Sequence, residues 1–173
     1  MVFVALLRGV NVGGRSKLAM ADLRRITEGC GFEDVRTYVQ SGNVVFRASG
    51  SAQEVGRRLR AALESETGRE SAVATRTAAQ LGRVVDGCPF DDTASVHVTF
   101  LVDGAAKADP PALDAAAFEP ERFVIKGREV YLYLPGGIGR SRLAQALSRG
   151  TTDGTTRNWR TVTTLRSMAA ETG

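Results

Sequence analysis

Val2 to Leu7 is apolar at every position, with Val2, Val4 and Leu6 on one side of an extended segment and Phe3, Ala5 and Leu7 on the other. A strand apolar on both faces belongs inside a sheet that is covered on both sides. A polar, glycine-rich stretch follows. Met20, Leu23, Ile26, Thr27 and Cys30 then recur at helical spacing, and Gly29 and Gly31 end that helix. Val35 to Gln40 alternates, with Val35, Thr37 and Val39 on one face. Ser41-Gly42 signals a turn, and Asn43 to Arg47 forms the partner strand of a hairpin. Val55, Leu59, Ala62 and Leu63 mark a second helix, Ser71 to Thr75 a weak fourth strand, and Leu81, Val84 and Val85 a further helix. The order β-α-β-β-α-β is the split βαβ of ferredoxin-like folds.

Cys88-Pro89-Phe90-Asp91-Asp92 reads as a linker, and the pattern then starts again. Val96, Val98, Phe100 and Val102 line one face of a strand, and Ala112 to Phe118 reads as a short helix. Phe123 to Ile125 and Val130 to Leu134 form a hairpin around Gly127-Arg128. Pro135 to Gly139 leads into a helix carrying Leu143, Ala144 and Leu147. After a polar loop, Trp159, Val162, Leu165 and Ala169 give a terminal amphipathic helix. The expectation is an α+β chain of two ferredoxin-like (βαββαβ-type) subdomains, 1–90 and 91–173. The second is incomplete and ends in an extra C-terminal helix.

The chain of 173 residues, 43% hydrophobic, can supply a core. The apolar start is short, with no basic region before it and no small-residue cleavage site after it. A signal peptide is therefore not expected. No apolar stretch approaches the ~20 residues of a membrane helix. These features point to a cytoplasmic protein with no membrane partner. Net charge is +4, and residues 1–90 hold the whole excess, with 13 Lys+Arg against 9 Asp+Glu, while 91–173 carry 10 of each. The excess makes a polyanionic partner plausible without requiring one. Only Lys17, Lys107 and Lys126 are lysines, an arginine preference that reads as coding bias. Cys30 and Cys88 lie far apart with no metal-ligand spacing and read as reduced, buried thiols. His97, the single histidine, has no second His, Cys pair or acidic cluster with metal-ligand spacing, and no Ser-His-Asp set assembles around it. No metal site and no cofactor are implied.

Two polar runs at opposite ends carry the candidate chemistry. The first is Arg8-Gly9-Val10-Asn11-Val12-Gly13-Gly14-Arg15-Ser16-Lys17, and the second is Thr155-Thr156-Arg157-Asn158-Trp159. Each joins arginine and asparagine to flexible or helix-starting backbone, a combination suited to an anion. Gly9 to Ser16 spells G-x-x-x-x-G-R-S, one residue from the Walker A pattern, but arginine does not replace its lysine neutrally and an antiparallel-rich sheet is the wrong setting. The loop either makes structural turns only or contacts an anion through its amides with Arg8, Asn11 and Arg15. Ser41-Gly42-Asn43-Val44-Val45-Phe46 lacks the basic-Gly-aromatic pattern of an RNA-recognition motif. Gln40 to Asn43 is first a hairpin turn, whose hydroxyl and amides could also complete a polar site. Ser141 is a candidate N-cap, and Arg140 and Arg142 beside it either clamp a phosphate or are solvated. Thr155 or Thr156 is expected to cap the last helix, with Trp159 on its apolar face. Gly14-Arg15-Ser16-Lys17-Leu18-Ala19 echoes Gly139-Arg140-Ser141-Arg142-Leu143-Ala144 at non-equivalent places.

Ala5 to Gly14, Thr37 to Phe46, Gly139 to Leu143 and Thr155 to Trp159 together resemble the signatures of the bacterial family catalogued as domain of unknown function sixteen-ninety-seven. The resemblance spans nearly the whole chain and implies two ferredoxin-like α/β subdomains. It carries no activity, substrate or catalytic residues. This chain departs from the family pattern at Arg160, where asparagine usually follows the Trp, and at Arg15 and Arg142, which stand for lysines.

The leading expectation is an anion-binding protein with nucleic acid or a nucleotide-like phosphate as ligand. The site would be a cleft between the two units, built from Arg8, Asn11, Gly13, Gly14, Arg15, Ser41, Asn43, Arg140, Ser141, Arg142, Arg157 and Asn158. The alternatives are an enzyme acting on a small phosphorylated metabolite, marked by a perturbed Asp, Glu or Tyr beside the arginines, and a protein-interaction module.

Overall fold

The computed structural model of the chain describes residues 1–10, 18–102, 113–150 and 154–173. The fold is mixed α+β, with two four-stranded antiparallel sheets and five α-helices among the described residues. The first half runs β1 (Val2–Leu7), α1 (Met20–Gly29), β2 (Glu33–Tyr38), β3 (Asn43–Arg47), α2 (Ala52–Thr67), β4 (Val73–Thr77) and α3 (Ala78–Asp86). The second runs β5 (Val96–Leu101), β6 (Arg122–Lys126), β7 (Glu129–Tyr133), α4 (Arg142–Gly150), β8 (Gly154–Asn158) and α5 (Trp159–Thr172). Short 3₁₀ turns occupy Thr93–Ser95, Ala115–Phe118 and Ile138–Arg140.

The strand order is β2-β3-β1-β4 in the first sheet and β6-β7-β5-β8 in the second, the same order once β5 is matched to β1. The second sheet is therefore complete, and the expectation of an incomplete second unit is corrected. The missing strand is β8, which read as a polar loop because Gly-Thr-Thr-Arg-Asn offers no apolar alternation. Its inward-facing residues are Thr155 and Arg157, buried and polar.

The double apolar face of β1 works as its pattern requires. The strand lies between β3 and β4. Phe3, Ala5 and Leu7 pack with Leu23, Ile26, Leu59 and Leu63 of α1 and α2. Val4 and Leu6 face the other way, into a core shared by both halves: Val96, Val98 and Phe100 of β5, Tyr131 of β7, Leu81 and Val84 of α3, and Val162, Leu165 and Ala169 of α5. The outer face of the second sheet, through Val130 and Leu132, packs on Leu143 and Leu147 of α4. Trp159 is half-buried against the shared core.

Two boundaries differ from the sequence reading, with β2 and β4 shifted by two residues. Val39 does not continue β2. It is exposed, with φ +48°, and turns the chain into the hairpin. Asp34, at φ +52°, sits where the β2–β3 register shifts. Both cysteines are free thiols but half-buried rather than buried, and burial raises the Cys30 pKa while Arg58 opposes it.

Candidate functional site

Strand β8 exists because its polar residues have partners in the other half. Arg157, 9% exposed, engages all five guanidinium N–H groups. Its Nε donates to Asn43 Oδ1 at 2.6 Å. Nη1 donates to Thr155 Oγ1 at 2.6 Å and Thr156 O at 2.9 Å, and Nη2 to Leu7 O at 2.8 Å and Ser41 O at 2.9 Å. No carboxylate is among these partners. Burial lowers its pKa to about 10.

The first half carries the same device, pointed the other way. Arg76 on β4, 3% exposed, donates from Nε to Glu129 Oε1 at 2.7 Å. Its Nη1 reaches Thr75 O at 2.9 Å, and its Nη2 reaches Leu101 O at 3.0 Å and Arg128 O at 3.4 Å. The correspondence holds partner by partner. Leu7 and Leu101 end β1 and β5, and Ser41 and Arg128 sit in the two hairpin turns. Asn43 and Glu129 begin β3 and β7, and Thr75 and Thr156 precede their arginines. In register, Arg76 is opposite Val4 and Arg157 opposite Val98. Each arginine is followed by a helix N-cap: Thr77 Oγ1 accepts from Gln80 N, and Asn158 Oδ1 from Thr161 N. The halves thus clasp each other through a reciprocal pair of buried arginines. Two chemical differences stand out: Arg76 meets a carboxylate where Arg157 meets an amide, and Arg157 also donates to Thr155 Oγ1 where the first half has Ala74.

The expected site residues distribute unevenly. Ser41, Asn43 and Arg157 come together, with Asn43 Nδ2 also donating to Ser41 Oγ at 2.9 Å, but their polar atoms serve the clasp. Asn158, rather than Thr155 or Thr156, caps α5. Ser141 is the N-cap expected of it, its Oγ accepting from Ala144 N at 2.8 Å. The adjacent amide of Leu143 is taken by Glu121 Oε2 at 2.9 Å, so the chain's own carboxylate sits at this helix start, beside Arg140 and Arg142. Arg142 lies over the Phe118 ring at 5.9 Å, and Arg140 is exposed. Neither hydrogen-bonds the Ser41–Asn43–Arg157 group. Arg8 is exposed and lines a cleft of about 290 Å³ beside Thr156 and α4. Asn11, Gly13, Gly14 and Arg15 lie outside the described residues.

A second cleft, about 310 Å³, opens beside the Arg76 clasp, between α3 of one half and the β6–β7 hairpin of the other. Arg76, Arg83, Lys126 and Arg128 line it, with Glu129 as its one carboxylate. Arg83 is exposed and forms no ion pair with the described residues. Lys126 Nζ donates to Gly87 O at 2.6 Å and sits 5.8 Å from the Tyr131 ring centroid. Tyr131, at the floor, donates its hydroxyl to Val84 O at 2.8 Å. Burial first, then Glu129 and Cys88, push its pKa up to about 12, holding it protonated and unsuited to act as a base near neutral pH. Sequence reasoning missed this cleft because its cations come from two distant stretches, Arg76 and Arg83 in one half and Lys126 and Arg128 in the other, neither with a motif. The only signal was the basic excess of the first half.

Among the described residues no group of three or more His, Cys, Asp or Glu could hold a metal ion. No helix among them is long and apolar enough to cross a membrane. A family model described as Protein of unknown function (DUF1697) matches residues 1–131. No curated protein matches the chain. Among solved structures, the conserved bacterial protein SP0830 from Streptococcus pneumoniae is similar, with TM-score 0.76 and 20% identity over 97% of this chain and 98% of that one. At that identity the likeness concerns the fold alone.

Proposed function

We propose that this chain, which belongs to the family described as Protein of unknown function (DUF1697), binds a phosphate-bearing anion in the cleft between its halves. The ligand class is a nucleotide-like phosphate or the backbone of a nucleic acid. One observation carries the reading: four cationic side chains converge on a cleft of about 310 Å³ that holds one carboxylate. Unlike charge, like charge brought together costs free energy, and a bound anion removes that cost. Arginine suits the task because its planar donors match phosphate oxygens in pairs. Arg83 and Lys126 would make the contacts. Arg76 and Arg128 are tied to backbone carbonyls and supply field rather than reach. We read each half, 1–90 and 91–173, as a ferredoxin-like subdomain, which the shared strand order supports, and the site as formed by their association. The free cysteines support a reducing, cytoplasmic location.

The test is fluorescence anisotropy of a labelled single-stranded oligonucleotide, with unlabelled tripolyphosphate as competitor, at low and moderate salt. Binding should be saturable, weaken steeply with salt and fall at least tenfold in Arg83→Glu, an exposed change that leaves stability within ~0.5 kcal/mol. Competition by tripolyphosphate at equal charge concentration assigns the small-phosphate class. Competition only by polymer assigns nucleic acid. Equal binding by wild type and Arg83→Glu would remove this cleft as the site.

A further inference from the structure

The lining of the cationic cleft is nearly uniform in its hydrogen-bonding sense. Arginine and lysine side chains donate and never accept. Gln80 has its side-chain oxygen committed: Oε1 accepts from Thr77 N at 2.8 Å in the capping box of α3, so its amide meets a ligand as a donor. The two side chains of other kinds are engaged within the protein. Glu129 Oε1 accepts from Arg76 Nε at 2.7 Å, and Tyr131 gives its hydroxyl proton to Val84 O at 2.8 Å. A nucleobase carries donors and acceptors side by side on its edges, and its exocyclic amino groups would here face other donors. Phosphate oxygens only accept. The cleft also offers a base no ring to stack on. Tyr131 is the one aromatic side chain among the described lining residues, it is 2% exposed, and Lys126 Nζ sits 5.8 Å from its ring centroid. Proteins that hold single strands draw on such stacking.

We propose that the cleft reads phosphate alone. Its ligand is a short phosphoanhydride chain taken without a divalent cation, either free or as the tail of a nucleotide whose base goes unread. This rests on the reading of the cleft as a phosphate site and narrows it. Size favours the chain over a nucleic-acid strand. A space of about 310 Å³ is roughly 7 Å across, so a strand with about one charge per 3.4 Å would place only about two phosphates in it. A phosphoanhydride chain shares one oxygen between neighbouring phosphorus atoms and brings more charge into the same span. The lining also disfavours a metal-bound chain. Magnesium on a phosphate chain is held through one or two protein carboxylates. The single lining carboxylate, Glu129, is bound to Arg76, and the ion would enter beside Arg83 and Lys126. Those two side chains take the place that a metal fills elsewhere.

The experiment is isothermal titration calorimetry of the full chain at low salt with EDTA, using tripolyphosphate, ATP, CTP, AMP and a single-stranded oligonucleotide. Tripolyphosphate is then titrated without EDTA, in magnesium chloride and in potassium chloride of equal ionic strength. ATP and CTP should bind within about twofold of each other and within about fivefold of tripolyphosphate, and AMP at least about tenfold more weakly than ATP. Magnesium in excess of tripolyphosphate should weaken its binding at least about fivefold beyond the potassium control. Arg83→Glu should weaken tripolyphosphate, ATP and CTP alike. Three results would overturn the proposal and leave a phosphate site standing: ATP or CTP binding more than about fivefold more tightly than tripolyphosphate, binding strengthened by magnesium, or an oligonucleotide that binds more tightly than tripolyphosphate at equal charge concentration. Failure of every phosphate to bind, or equal binding by Arg83→Glu, would overturn the proposal together with the reading it rests on.

Discussion

Arg157→Met tests whether the clasp holds the halves together. Methionine keeps most of the side chain's length and removes all five donors. The lost bonds run from a charged donor to Asn43 Oδ1, Thr155 Oγ1, Thr156 O, Leu7 O and Ser41 O. Bonds of this kind contribute ~1.5–3 kcal/mol each when intact. Two terms limit the loss. The buried guanidinium already carries a desolvation cost: burial lowers its pKa to about 10, a shift worth roughly 3 kcal/mol that Met relieves. Leu7 O also keeps its bond from Thr155 Oγ1 at 3.3 Å. Ser41 O and Asn43 Oδ1 lose their arginine donors in a buried setting, at ~1–3 kcal/mol each. The net expectation is a loss of about 3–5 kcal/mol, the range for removing one member of a buried charged network. Urea denaturation followed by circular dichroism measures it. A loss under ~1 kcal/mol would refute the reasoning, since the five bonds would then only offset desolvation. Arg157→Lys adds a check by sign. Wild-type Arg157 is charged in both states below pH 9, so its contribution is flat there. A lysine in the same cage has a folded pKa below its unfolded value near 10.4. The unfolded state then binds more protons, and the variant's stability rises with pH toward 10.

The mirror clasp behaves differently. Arg76→Met leaves the half-buried Glu129 without its ion pair, so Glu129→Gln in the same chain should recover part of the loss, and a double-mutant cycle in urea should give at least ~1 kcal/mol of coupling. Gly42→Ala should cost about 2–4 kcal/mol by thermal or urea denaturation, because φ is +71° and the new Cβ would lie 2.9 Å from Leu7 Cβ. Gly127→Ala, with φ +63° and open space around it, should cost only ~1–2 kcal/mol. His97 is half-buried, and burial lowers its pKa below 6.5, the larger effect, while the Ser95 backbone opposes it at a contact too poorly aligned to satisfy Nδ1 as a hydrogen bond. The unfolded imidazole therefore takes a proton first, and stability is lost as pH falls below about 6.5. A His97→Leu chain should show a shallower slope between pH 6.5 and 5, and an equal slope would contradict this assignment.

The fold was legible wherever burial is apolar. β1, the hairpins and the helices announce themselves by alternation or by helical spacing, and the shared core follows from the two apolar faces of β1 and the Val96–Phe100 face of β5. Legibility fails where a polar residue is buried. β8 hides because Thr155 and Arg157 point inward, and no periodicity rule expects an arginine there. The repeat between the halves hides for the same reason. The echo of Gly14–Ala19 in Gly139–Ala144 caught attention, whereas the structural repeat is Ala74-Thr75-Arg76-Thr77 against Thr155-Thr156-Arg157-Asn158. Arg157 was read as a ligand donor because its exposure cannot be judged from neighbours in sequence. Its partners, Leu7, Ser41 and Asn43, lie more than a hundred positions away. The cationic cleft was invisible for a related reason, since only association of the halves brings Arg83 near Lys126 and Arg128.

The most direct test of the central claim is where a phosphate anion lands. Tripolyphosphate titrated into ¹⁵N-labelled protein at low salt should shift the amides of Gln80 and Arg83 on α3 together with Lys126 and Glu129 on the facing hairpin. The shifts should saturate as one site and vanish in Arg83→Glu. Shifts confined to the surroundings of Arg8 or Arg140, or none at any concentration, would contradict the account.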